Sequence, residues 1–402
     1  MSFSLSFSGR FSANRLLRLS RLFFYIIIIL TAVPAWPLPK EFISAERDNF
    51  YIERHLRFWG MDFDFCRILE NGISDKTDTI LSLSAGSAVR ELGYYRDSSD
   101  LYSDSGSADY LYTRFNTNWG AGIEQGLLWN SSSEKNLLSL RLKYRGLREW
   151  NFNLAQQDSI IFDSLRPDRD GILLNTFIAA LVYDDVFFNN ESGLKEGYYA
   201  EFALESGPKW FLNDVTGESD FIKYFAGAKA FIPFYEAGTN QDFLQAVYLS
   251  EYAGIDFVKG DLIPLTARQT YGVLRPKNGT GGMVRGFESR RYDGEIKAIN
   301  NIELRFIMRQ IKDKAGRKML RPGFLAFLDY GIFGRLDGYD ESSSDGDGGW
   351  LEDGGEISSA GLGLFSEVLS VGTATMYVCF PLAGSRIDGR AMSVTLTYGL
   401  HF

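Results

Sequence analysis

The chain has 402 residues, enough for one large domain or two ordinary ones. Its 51 acidic side chains outnumber 42 Lys and Arg, a formal charge of −9 that excludes the basic footprint nucleic-acid binding requires. Aromatic residues reach 15%, with 32 Phe and 21 Tyr, which suits strands better than helices.

The first segment reads as a targeting signal. Arg10, Arg15, Arg18 and Arg21 form a positive leader without an acid, and Leu22 to Val33 is a nearly continuous apolar run. Twelve helical residues span about 18 Å, short of a hydrocarbon core of roughly 30 Å. Val33 and Ala35 offer side chains of the size a signal peptidase reads, and Pro34, Pro37 and Pro39 follow. The expectation is a signal peptide over 1–35; an uncleaved N-terminal anchor is the alternative. No cysteine lies near the cleavage point, which argues against a lipoprotein. Removing four arginines leaves 38 basic against 51 acidic residues, a mature charge of −13.

After residue 35 no stretch of 18 or more apolar residues occurs, so no transmembrane helix is expected. Such an exported chain is either soluble or a β-barrel. Residues 36–77 read as a short periplasmic extension, a plug or a first strand, and 78–402 as the barrel. Early strand candidates are 78–86, 88–96, 109–118, 121–130 and 136–150. Ser132 to Lys135 fits an S-x-x-K pattern within a Ser-rich turn, where chance explains it. With no G-x-S-x-G, no metal triad and only His55 and His401 as bases, neither an enzyme nor a cofactor is expected. Cys66 and Cys379 lack metal-ligand spacing, and their pairing is left open.

Later strands alternate. In 200–205, Ala200, Phe202 and Leu204 oppose Glu201, Ala203 and Glu205. In 223–232, Lys223 and Lys229 lie opposite Tyr224, Ala226, Ala228, Ala230 and Ile232. In 301–309, Ile302, Leu304, Phe306 and Met308 oppose Asn301, Glu303, Arg305, Ile307 and Arg309. In the next-to-last strand, Ala374, Met376, Val378 and Phe380 oppose Thr373, Thr375, Tyr377 and Cys379. The final strand sets Met392, Val394, Leu396, Tyr398, Leu400 and Phe402 against Ser393, Thr395, Thr397, Gly399 and His401. An Arg or Lys at the lipid midplane costs roughly 2–4 kcal/mol, so these charges must face a wet interior. A soluble sandwich also alternates, but an aromatic terminal strand ending in Phe402 favours the barrel. Polar connections separate the strands. The most extreme, Asp340 to Glu356, lacks full EF-hand spacing and reads as a solvated loop rather than a cation site.

The stretch Gly281 to Phe306, GGMVRGFESRRYDGEIKAINNIELRF, resembles the hallmark of the outer-membrane assembly superfamily, the BamA/TamA-like surface-antigen barrels. The V-R-G-F motif is Val284, Arg285, Gly286 and Phe287, and the following strand ends in Glu303, Leu304, Arg305 and Phe306. Three further segments resemble the family in order: Phe327 to Gly331 its F-x-D-x-G strand, Ser359 to Leu364 its penultimate hairpin, and the terminus with Tyr398, Leu400 and Phe402 its last strand. Asp184 to Gly197 resembles a "D…G" hairpin. The likeness covers roughly 172–402.

The resemblance implies an all-β, transmembrane antiparallel barrel of sixteen strands, where the residues themselves allow twelve to sixteen. It implies a loop folded inward, its arginine meeting acids on the inner wall. The register places Asp329 and Glu303 on that wall, so Arg285 is expected to contact Asp329, with Glu303 as second candidate. A guanidinium suits such a pair because it binds carboxylates bidentately and keeps its charge. Gly286 is expected to permit a sharp turn and Phe287 to fill space beside the pair. The family's usual periplasmic POTRA modules are not expected within 36–77, which is too short for one. The functional expectation is therefore outer-membrane biogenesis, by insertion or translocation of proteins, among outer-membrane lipids. A separate POTRA-bearing or periplasmic partner could then supply the missing role. The alternative is a pore or structural surface protein on the same scaffold.

Overall fold

The structure, a computed structural model, describes residues 3–6, 50–57, 60–74, 76–94, 111–152, 168–188, 194–237, 245–268, 284–286, 294–312, 316, 318–336, 351–368, 372–383 and 392–398. The strands in chain order are β1 (Phe3–Ser6), β2 (Phe50–Arg57), β3 (Gly60–Ser74), β4 (Thr77–Tyr94), β5 (Leu111–Asn130) and β6 (Lys135–Phe152). Then come β7 (Gly171–Asp184), β8 (Phe187–Phe188), β9 (Lys195–Gly207), β10 (Asp220–Ala237), β11 (Gln245–Leu262) and β12 (Ile296–Ile307). The last are β13 (Ile311–Lys312), β14 (Lys318–Leu336), β15 (Leu351–Val368), β16 (Gly372–Ala383) and β17 (Ser393–Tyr398). One short helix, α1 (Leu265–Arg268), follows β11. No described helix is long and apolar enough to cross a membrane, which says nothing about strands that cross.

Leaving aside the four-residue β1 and the two-residue β8 and β13, fourteen strands form one antiparallel meander among the described residues. Each pairs with the next along the chain, as in Glu124↔Arg141, Glu201↔Gly227, Asn301↔Asp329 and Cys379↔Ser393. Sixteen strands are not reached among the described residues, whose fourteen lie within the expected range of twelve to sixteen. The candidates 78–86 and 88–96 are one strand, β4, because the small residues Ala85 to Ala88 continue the pairing with β3 and β5 without a turn. Likewise 109–118 and 121–130 merge into β5. The polar stretch expected as a loop to Glu356 ends earlier, since Leu351 to Glu356 already belong to β15 and Leu351 pairs with Leu336. Residues 340–350 lie outside the described residues. Within 36–77 the structure places β2 and β3. In the expected leader it places Phe3–Ser6 beside Ser393–Leu396 of β17.

Connecting segments are unequal. At one end they run over 58–59, 95–110, 153–170, 208–219, 263–295, 337–350 and 384–392; at the other over 75–76, 131–134, 185–194, 238–244, 308–317 and 369–371, so all but 58–59 at the first end are nine residues or longer. Long connections thus gather at the end where β11 leads into α1 and Val284–Gly286.

The two faces of the sheet invert the usual sorting of a soluble protein. In β9, residues 199, 201, 203, 205 and 207 are buried and the residues between them mostly exposed. In β12 the alternation is unbroken. Buried positions include Glu201, Glu205, Lys223, Asp256, Lys297 and Glu303, whereas Leu142, Leu181, Phe202, Leu328, Leu362 and Phe380 face outward and exposed. Burying an ionised group without a partner is costly. The buried charges accordingly meet partners across the inner face: Arg141 reaches Glu124 at 2.9 Å and Glu201 at 3.5 Å, and Arg114 reaches Glu149 at 3.3 Å.

Candidate functional site

The segment after α1 returns to the inner wall at Val284–Gly286, where β12, β14, β16 and β17 hold it. Val284 is buried in the cluster that contains Phe327, Tyr377 and Cys379. Gly286 has φ +91°, a conformation that side-chain-bearing residues rarely adopt. A Cβ at Gly286 would lie 3.1 Å from Cys379 Cβ and 3.3 Å from Ser393 Oγ, so the tip rests against β16 and β17. Glycine thus answers both the turn and the close approach.

Arg285 is buried, and its guanidinium meets both carboxylates named from the sequence. Nε donates to Asp329 Oδ2 at 2.7 Å and Nη2 to Asp329 Oδ1 at 2.6 Å, a bidentate fork. Nη1 donates to Glu303 Oε1. The Arg285 backbone N–H also donates to Asp329 Oδ2, at 2.9 Å. Asp329 and Glu303 are both fully buried. They reach the same place because β12 and β14 are adjacent, with Asn301 opposite Asp329 and Glu303 opposite Phe327.

Two aromatic rings complete the cage. Arg285 Cζ lies 3.7 Å from the Phe327 ring centroid and 5.0 Å from that of Tyr377, and the two rings pack edge-to-face at 5.9 Å. Cation–π attraction is strongest where water is excluded. Phe287, expected to fill this space, lies outside the described residues, as do Leu400 and Phe402. Tyr398 ends β17, its backbone opposite Ala374.

The sequence reading missed the second guanidinium. Arg305 Nε donates to Glu303 Oε2 at 2.6 Å, and its Nη1 donates to the Tyr248 hydroxyl at 3.2 Å. Arg285, Arg305, Asp329 and Glu303 therefore form a charge-balanced quartet. The signal was present in E-L-R-F, because Glu303 and Arg305 share a face at spacing two. Phe327 stood in the F-x-D-x-G segment on the face of Asp329, and Tyr377 on the inward face of its strand, but their approach to Arg285, like that of Tyr248 to Arg305, depends on pairing between distant strands.

A second inner-face cluster lies at the start of the same connection. Lys223 and Lys297 each approach Asp256 at 3.4 Å, and their Nζ atoms donate to the Ala267 carbonyl at 3.5 and 3.1 Å. They bind the C-terminal end of α1, where carbonyls lack helical partners. In the segment resembling a "D…G" hairpin, Asp184 takes Lys135 Nζ at 2.5 Å and the Val186 N–H at 3.1 Å, while Gly197 turns at φ +103°. Lys135 is thereby committed to an ion pair rather than to Ser132. Cys66 and Cys379 are not joined to each other. Among the described residues no group of His, Cys, Asp or Glu could hold a metal ion.

The arrangement fastens one loop to one wall. Its groups are guanidiniums, carboxylates and rings, each committed to a neighbour.

No protein-family model matches the chain, and no curated sequence matches it. Among solved structures it is similar to BamA from Haemophilus ducreyi lacking POTRA domains 1–3, at 10% identity and TM-score 0.49, over 87% of this chain and 64% of that one. It is also similar to CdiB from Escherichia coli, at 15% identity and TM-score 0.47, over 84% of this chain and 52% of that one. The chain thus spans 64% and 52% of the lengths of those two proteins.

Proposed function

We propose that the sheet closes into a bacterial outer-membrane barrel, with β17 meeting β2, and that the Arg285 loop is latched to its inner wall. The unbroken antiparallel order from β2 to β17 supports closure, although among the described residues the edge of β17 away from β16 pairs with β1. The inverted sorting of charge and apolar surface supports a lipid-facing exterior. The biochemical role we propose is outer-membrane biogenesis: insertion or translocation of other proteins, with a POTRA-bearing or periplasmic partner supplied separately, and no enzymatic step. The observation that carries this reading is the bidentate fork of Arg285 on Asp329, made by the motif that resembles assembly barrels. An inner face crowded with paired charges supports a plugged barrel over a wide pore.

The test is depletion of the chain in its native host, with quantitative comparison of outer-membrane proteins. Loss of other barrels supports the role. Unchanged levels, together with large steady conductance of the purified protein in planar bilayers, would replace it with a pore.

A further inference from the structure

The connection between β9 and β10, residues 208–219, leaves three large apolar side chains well exposed: Trp210 at 78%, Val215 at 63% and Leu212 at 60%. The loop is nevertheless firmly fastened. Asn213 is fully buried; its Oδ1 accepts the Asn175 N–H at 2.6 Å, and its Nδ2 donates to the Asn175 and Pro208 carbonyls, each at 2.9 Å. The Thr216 carbonyl accepts the Leu173 N–H at 2.9 Å. Leu212 holds φ +58°, a strained conformation for leucine, and still points its side chain outward.

The fastening point fixes where the loop lies. Asn175 shares a strand face with the outward, exposed Phe177, Leu181 and Tyr183, yet is itself only 4% exposed. The loop therefore covers the outer wall of β7 rather than the inner face. Phe211 continues that wall, its ring 4.5 Å from Phe177 and 5.9 Å from Tyr144. Trp119 Nε1 donates to the Tyr144 hydroxyl at 3.0 Å, and that hydroxyl donates to Asn175 Oδ1 at 2.7 Å. The result is an outward aromatic patch, with the Trp119 and Tyr144 polar tips hydrogen-bonded, at the end of the sheet that carries the long connections. Of the charged side chains in the loop, Lys209 and Glu218 pair at 3.0 Å, while Asp214 is exposed beside Leu212, a carboxylate suited to the hydrated headgroup layer rather than the acyl core.

We propose that residues 208–219 form a lipid-interface anchor, with Trp210, Leu212 and Val215 seated at the boundary between headgroups and acyl chains. Continuity with the outward apolar wall selects lipid as the occupant. Amphipathic rings favour that depth, and a fixed loop inserts them without ordering on contact. The inference rests on the barrel reading above and adds a site that sets the depth of one side of the wall.

The test uses the full chain carrying Cys66→Ser and Cys379→Ala, with one new cysteine at a time: Trp210→Cys, Leu212→Cys, Val215→Cys, or the mid-strand outward control Leu142→Cys. Each is labelled with an environment-sensitive fluorophore and reconstituted in phosphatidylcholine–phosphatidylglycerol vesicles bearing nitroxides either at the headgroup or deep in the acyl chain. Folding is verified by heat-modifiable mobility. The expected result is several-fold stronger quenching by the shallow than by the deep nitroxide at the three loop sites, and the reverse at residue 142. Asn213→Ala should abolish the depth preference at residue 210 and leave residue 142 unchanged. Quenching of the loop sites by aqueous iodide alone, with residue 142 still quenched by lipid, overturns the anchor and leaves the barrel standing. Protein-concentration-dependent shielding from both quenchers also overturns it, in favour of a second copy. Failure of lipid to quench residue 142 overturns the barrel reading and the anchor with it.

Discussion

Arg285→Ala tests the latch most sharply, because its cost follows from specific contacts. The substitution removes the bidentate fork on Asp329, the bond to Glu303 and the stacking over Phe327 and Tyr377. It spares the backbone N–H bond to Asp329, and Glu303 keeps Arg305. Removing one partner of a desolvated pair costs about 3–5 kcal/mol, and the retained partners favour the lower end. Asp329→Asn should be similarly destabilising, since it leaves Arg285 with half its neutralising charge. The double variant should cost less than the sum, with a coupling on the order of 1–3 kcal/mol for residues in direct contact. The assay is denaturant unfolding in detergent micelles, followed by heat-modifiable mobility and by protease access to residues 269–293. Arg285→Lys should fall between wild type and alanine, because an ammonium cannot form the planar fork. Additive costs, or an alanine variant as stable as wild type, would refute the reasoning.

Gly286→Ala should destabilise by about 1–3 kcal/mol, because alanine at φ +91° is strained and its Cβ would crowd Cys379; the same unfolding assay reads it. Leu142→Arg should lower folding yield into vesicles, read by heat-modifiable mobility, at a cost of roughly 2–4 kcal/mol for a lipid-facing residue at the midplane. Lys297→Met should remove one of two donors to the Ala267 carbonyl and speed amide exchange at 263–268, with the Arg285 contacts unaffected.

Alternation was legible wherever a strand presents opposite chemistry to its two faces. Glu201 and Glu205, Lys223 and Lys229, and Glu303 and Arg305 all occupy the inner face, as spacing two requires. The site was legible through the V-R-G-F resemblance together with the inward register of Asp329. Strand count was harder to read, because the merging of two candidates into β4 turns on Ala85 to Ala88, whose small side chains look equally like a turn. The start of β15 was obscured by Asp353, Gly354 and Gly355, residues typical of loops that here sit within a paired strand. The cage around Arg285 is a cross-strand property: Tyr248, Phe327 and Tyr377 come from β11, β14 and β16, and only the folded register unites them.

The most direct test of a charged interior wrapped in an apolar wall is the behaviour of the native protein on membrane fractionation. After alkaline carbonate extraction it should remain in the membrane pellet, migrate as a compact, fast band without heating, and shift to lower mobility only on boiling. Recovery in the detergent-free soluble fraction, with one mobility whether heated or not, would contradict the account.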